Sequence, residues 1–294
     1  MSKKRNLLLF LALILALGMM LAGCAKSEPA DNGETPVVED QSLTAIQDKG
    51  VLVLGCDDAF PPMGFRDPSG TIVGFDIDLA TKVAEKLGVK LEVKAINWDT
   101  KEMELNSGNI DVIWNGFTIT AERNEKVEFT KPYLNNEIML VVKAGSPIKT
   151  KADLNGKLVG YQTDSSAEIA LNADQNFFTS LKEARGYDNY QNALLDMTSS
   201  DRIDAVAVDK ILIEYLAAQE PDKFFIMEEA LGKEYMGIGC AQGAVALREA
   251  IDNALDELFA DGTVEEVSKE WFGNNIVIRD VDKLTTEQLK EMGL

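Results

Sequence analysis

Gly74-Phe-Asp-Ile-Asp-Leu-Ala-Thr-Lys-Val-Ala-Glu-Lys-Leu-Gly-Val-Lys-Leu-Glu-Val-Lys-Ala95 decides the fold. Residues 79–87 carry apolar side chains at helical spacing. Ile77, Ala80, Val83, Ala84 and Leu87 line one face, and Gly88 closes the helix. Residues 91–95 then read as a strand. Upstream, Val51-Leu-Val-Leu54 is a short apolar run ending at Gly55, as expected of a strand buried on both faces. Downstream, residues 103–107 read as a helix and 110–114 as a third strand. Strand, helix, strand, helix, strand is a βαβαβ unit, so a parallel sheet is expected.

A second unit starts near Ile138. Residues 139–142 and 158–162 read as strands, with a short helix at 151–156 between them. Ser165 and Ser166 open a helix running to Asn172, and a strand at 205–208 ends at Asp209. A last strand at 237–240 precedes a helix at 247–259, stopped by Asp261-Gly262. Two α/β units in tandem imply a cleft, and ligands of such sheets lie beyond the carboxyl ends of the strands. The segments after Leu54, Trp114, Gln162 and Val208 occupy such ends.

One of these segments, Trp114-Asn-Gly-Phe-Thr-Ile-Thr-Ala-Glu-Arg123, sets backbone amides, hydroxyls and a guanidinium where a small carboxylate could be gripped. An Arg fork holds a carboxylate bidentately. Thr118 adds a hydroxyl beside its own N–H if a helix begins near Thr120, and Asn115 and Gly116 belong to the same candidate grip. Taken alone, the ten residues better fit a Thr-capped helix with a solvated Arg123.

Composition narrows the chemistry. The 294 residues include no histidine, which removes His-based nucleophilic catalysis and His-ligated metal sites. Three cysteines are present. Lys3, Lys4 and Arg5 precede an apolar stretch at 7–20 and then Leu21-Ala-Gly-Cys24, the layout of a secretory signal, too short for a comfortable membrane span. The quartet resembles a bacterial lipobox, which implies cleavage before Cys24 and lipid on its thiol. Residues 24–41 are rich in Ser, Pro, Asp, Gly and Glu and read as a flexible tether. Cys56 and Cys240 are then left as one disulfide or two buried thiols, the thiols preferred. Loss of the three N-terminal cations moves the net charge from −20 to −23, against nucleic acid or anionic lipid as partner. About 250 residues remain, enough for one large or two ordinary domains.

Asp57-Asp-Ala-Phe60-Pro-Pro-Met-Gly-Phe65, Gly74-Phe-Asp-Ile-Asp-Leu79, Gly116-Phe-Thr-Ile-Thr-Ala-Glu-Arg123, Phe129-Thr-Lys-Pro-Tyr133, Asp153-Leu-Asn-Gly-Lys157 and Trp271-Phe-Gly273 occur in that order. In these motifs the chain resembles the family 3 extracellular solute-binding proteins, the polar amino-acid binding components of ABC importers. The resemblance implies a two-lobed α/β fold, type II among periplasmic binding proteins, with a mixed, mainly parallel sheet in each lobe. The chain is expected to cross between lobes near 133–137 and 233–237. Lobe 1 would combine 42–133 with 238–275 and lobe 2 would be 138–232, leaving 276–294 as an extension with a Thr285 capping box.

By the same resemblance, Arg123 binds the ligand α-carboxylate with N–H groups at Thr118 and Ser166, and Asp209 accepts from the α-ammonium. Phe60 and Trp98 flank the ligand side chain. Asp57 touches its donors and favours a cationic or amide group. Asp164 departs from the glycine common in relatives, and its charge would repel a ligand carboxylate unless it pointed away. Gln162 stands where some relatives carry a cation. A monomeric lipoprotein, without enzymatic activity or cofactor, delivering a free amino acid to a membrane permease and its ATPase is the implied function. A secreted dehydratase on the same fold and a ligand-sensing module are the alternatives.

Overall fold

A computed structural model describes residues 40–294. The expected signal (1–23), Cys24 and all but the last two residues of the expected tether lie outside the described residues. Helix α1 (Ser42–Lys49) leads into β1 (Val51–Cys56), and a small antiparallel sheet follows from β2 (Ala59–Phe60), β3 (Gly64–Arg66) and β4 (Ile72–Val73). Helix α2 (Phe75–Leu87) buries Ile77, Ala80, Val83 and Ala84 and ends on a left-handed Gly88, as its apolar stripe and stop signal dictate. Then come β5 (Lys90–Ala95), α3 (Lys101–Asn106), β6 (Val112–Thr118), α4 (Ala121–Asn124) and β7 (Val127–Phe129).

The second half begins with the ten-residue β8 (Leu134–Lys143), followed by β9 (Leu158–Gln162), α5 (Ser166–Ala173), α6 (Gln175–Ser180) and β10 (Glu183–Tyr187). It continues through α7 (Tyr190–Thr198), β11 (Ala205–Asp209) and α8 (Lys210–Gln219). The 18-residue β12 (Phe224–Ala241) returns to the first half, where α9 (Val245–Ala260), α10 (Thr263–Phe272) and α11 (Thr286–Met292) finish the chain.

The main strands run in the order β10-β9-β11-β8-β12-β6-β1-β5, with β7 on β12. Each half has a parallel core, β5-β1-β6 in one and β10-β9-β11 in the other. The antiparallel β8 and β12 join them. Where the two strands pair, Leu134 faces Met236, Asn136 faces Glu234 and Glu137 faces Lys233. The molecule is therefore two α/β lobes connected by two chain segments.

Several strands are longer than the sequence indicates, among them β8, expected at 139–142 and running Leu134–Lys143. The strand expected at 237–240 begins at Phe224, because its stretch through Glu228, Glu229, Gly232 and Lys233 lacks the apolar alternation that marks a strand. The strand expected at 110–114 begins at Val112 and extends to Thr118, every residue buried, so Asn115, Gly116 and Thr118 belong to β6 itself. Cys56 and Cys240 are separate buried thiols, and burial pushes the Cys56 thiol up to about 12. The Thr285 capping box is formed, and α11 packs Leu289 into the core cluster that holds Phe117 and Phe129.

Candidate functional site

Strand β1 delivers Asp57 just past its carboxyl end, β6 carries Asn115, Gly116 and Thr118, β9 ends at Gln162 and β11 at Asp209. With Phe60, Trp98, Arg123 and Ser166, these ten residues line one pocket between the lobes, joined there by Ser165 and Tyr190. Its volume is about 10 Å³, room for roughly one water.

Thr120 caps α4 by accepting from the Arg123 N–H (3.1 Å), which fixes the turn that turns the Arg123 side chain inward. The guanidinium is 4% exposed and lies over the Phe117 ring at 4.9 Å. It donates to the carbonyls of Thr118 (3.1 Å) and Asp164 (2.8 Å), and it has no carboxylate partner among the described residues. The solvated-Arg alternative is thereby removed. Burial lowers its pKa, yet a guanidinium stays charged in any such setting.

Asp209 is 3% exposed, and its side chain does not cap α8. Instead it accepts from Asn136 Nδ2 (3.0 Å), which also donates to Glu234. Burial, and then the nearby Glu234, hold the Asp209 carboxyl well above the usual range. Glu234 in turn accepts from the Thr118 hydroxyl (2.9 Å). That hydroxyl is committed behind the pocket wall in this conformation, contrary to the expectation that it would be offered beside the Thr118 N–H. The Gly116 amide is committed as well, donating to Asp76 Oδ2 (2.7 Å). Gly116 sits at φ +58°, a conformation that favours glycine, and a Cβ there would come 3.2 Å from the Phe60 ring, a tight fit.

At the other end, Asp57 Oδ2 accepts from Gln162 Nε2 (2.7 Å) across the cleft, while its Oδ1 accepts from the Ala59 N–H (2.9 Å). Asp57 thus shapes its turn and faces the pocket at once; desolvation raises its pKa to about 6. The half-buried neighbour, Asp58, pairs with Arg66 (2.5 Å). Trp98 is buried edge-on to Phe117 (5.7 Å between ring centroids) and Phe60 meets Tyr190 at 5.9 Å.

Asp164 adopts φ +57° and forms an ion pair with Lys101, which is fully buried beneath Trp98. The acidic group that would repel a ligand carboxylate is therefore paired with a buried ammonium, although the Asp164 side chain itself is half exposed. Lys101 and Tyr190 were not evident as site residues: Lys101 lies in the charged Asp99-Thr-Lys-Glu stretch that reads as a solvated helix start, and Tyr190 in the polar Asp188-Asn-Tyr-Gln. A strand ending at Tyr187 and the helix cap Asn189 were the signals available for Tyr190.

The model of the bacterial extracellular solute-binding proteins, family 3, matches residues 52–274. The L-cystine-binding protein of Escherichia coli (strain K12) is 30% identical over 259 residues, covering 87% of this chain and 92% of its own. A crystal structure of an ABC uptake transporter substrate binding protein from Streptococcus pneumoniae with bound histidine is 36% identical with a TM-score of 0.78, covering 82% and 99% of the two chains. Tv2483 bound to L-arginine has a TM-score of 0.78 at 31% identity, covering 84% and 100%. These are type II amino-acid binding folds, and relatives of this kind are solute-binding proteins located outside the cytoplasm. With a shared fold and the family model matching residues 52–274, the chain belongs to the bacterial extracellular solute-binding proteins, family 3.

Proposed function

We propose that this protein captures a free polar amino acid between its lobes and presents it to the permease and ATPase of an ABC importer, as a binding component without enzymatic activity. One observation carries the reading: the pocket buries a cation, Arg123, and a carboxyl group, Asp209, that an ammonium would bring back to its ionised form, neither of them ion-paired among the described residues. Buried charges need compensation, and an α-amino acid brings one carboxylate and one ammonium on adjacent atoms. In this reading the carboxylate lies on Arg123 with the N–H groups of Thr118 and Ser166, near the start of α5, and the ammonium on Asp209. The side chain runs between Phe60 and Trp98 toward Asp57, Asn115 and Gln162, where Asp57 favours a cationic or amide group.

Lobe 1 (42–133 with 238–275) receives the ligand and lobe 2 (138–232) closes over it, with β8 and β12 flexing between them. Only the closed state makes both sets of contacts, so the ligand stabilises closure. Lipid on Cys24 and a tether to residue 41 would hold a monomer at the membrane. Cystine, histidine and arginine, named for the relatives, share the zwitterionic head and differ beyond it.

The test is thermal stabilisation of the lipid-free protein beginning at Ala25, freed of carried-over ligand by unfolding and refolding, against the twenty amino acids, ornithine and cystine. A rise in midpoint with one or a few polar amino acids is expected. No rise with any of them, or turnover of a prephenate-like acid, would overturn the reading.

A further inference from the structure

Tyr190 Oη and Asn115 Nδ2 are buried in the pocket wall with no hydrogen-bond partner among the described residues. Native interiors leave few polar atoms in that condition, and each one calls for a reason. Asn115 is largely accounted for. Its carbonyl oxygen accepts from the Asp57 N–H (3.1 Å), and its Nδ2 lies against the Cα of Gly64, where a Cβ would come within 2.7 Å.

Tyr190 is not so explained. It opens α7 directly after the Asn189 cap, so the helix start rather than a loop fixes its position. The residue is 1% exposed, and its ring meets Phe60 from the opposite lobe at 5.9 Å. Its hydroxyl lies close to Asp209 and Ser165, but meets neither in hydrogen-bond geometry. Burial and the Asp209 charge keep it a neutral phenol, able both to donate and to accept.

We propose that Tyr190 is a ligand-recognising residue, its hydroxyl hydrogen-bonding the polar head of the bound amino acid while its ring closes against Phe60. The assignment rests on the amino-acid reading above. It explains why a hydroxyl is kept where a phenylalanine would fill the same space with no unpaired atom.

The experiment is calorimetric titration of the wild type and Tyr190→Phe with L-arginine, L-histidine, L-glutamine and L-cystine, beside their ligand-free melting midpoints. Tyr190→Phe is expected to bind about tenfold more weakly whichever of these the wild type binds. Its ligand-free midpoint should be equal or higher, because an unpaired buried hydroxyl has been removed. Tyr190→Leu, lacking ring and hydroxyl, should bind more weakly still. Unchanged affinity in Tyr190→Phe, or weaker binding accompanied by a lowered ligand-free midpoint, would overturn the assignment while leaving amino-acid binding intact. Wild-type protein that bound none of the twenty amino acids, ornithine or cystine would overturn the assignment together with the reading beneath it.

Discussion

In the proposed reading, Asp57 sets the chemistry at the far end of the pocket. Its carboxyl is raised to about 6 by burial, so it is mostly ionised at pH 7.5 and mostly protonated at pH 5. A cationic side chain binds the ionised form, and affinity for such a ligand should therefore fall as pH drops through about 6; titrations at pH 5 and 7.5 check this. Asp57→Asn should cost a cationic ligand roughly tenfold or more in affinity and cost an amide ligand less. Arg123 was legible in the sequence as the end of a family motif, and Asp209 from the apolar strand it follows together with the family resemblance. Lys101 was not. Nothing in a Lys amid acidic helix residues says that its ammonium will be drawn inside by an acid 63 positions away. Tyr190 was hidden in the same way, its burial arising from lobe closure and not from local pattern.

At the scale of elements, the start of α5 meets α3 and α4 through Asp164. Its carbonyl accepts from both Lys101 (3.1 Å) and Arg123 (2.8 Å), while its carboxylate pairs with Lys101. Without Lys101, the Asp164 charge would be left beside Arg123 and compete with a ligand carboxylate. Lys101→Met should therefore weaken binding by about tenfold or more, and Lys101→Met with Asp164→Gly should recover much of the loss, Gly being suited to the φ of +57°. A double-mutant cycle in the calorimeter measures the coupling. The helix α11 is likewise a packed element and not a loose tail: Leu289 is fully buried and Asn124 donates to Thr286 (3.0 Å). Leu289→Ala should cost about 2–5 kcal/mol of stability by urea denaturation. The capping box announced α11, but which surface it covers depends on tertiary contacts that no local motif records.

For the whole molecule, the βαβ pattern revealed two parallel cores. The full length of β12 stayed hidden, because a strand held by pairing with β8 and exposed in part needs no apolar alternation. Global stability should also carry the signature of buried carboxyls. Asp57 rises to about 6 and Asp76 to about 7, the latter because desolvation outweighs the donors Gly116, Tyr133 and Trp114. Both folded-state values exceed the unfolded ones, so the folded protein holds more protons between about pH 4 and 7, and its stability should fall as pH rises from 5 to 7.5. Urea titrations of ligand-free protein across that range check the sign, and Asp76→Asn should flatten the slope.

The central claim, that a zwitterionic amino acid bridges Arg123 and Asp209, is tested most directly by calorimetric titration of wild-type and Arg123→Ala protein with the amino acid that stabilises the wild type. One-to-one binding by the wild type and a loss of about 2–5 kcal/mol in the variant is the expected result, since the ligand carboxylate would be buried without its partner. Equal affinity in the two proteins would place the ligand elsewhere and contradict the account.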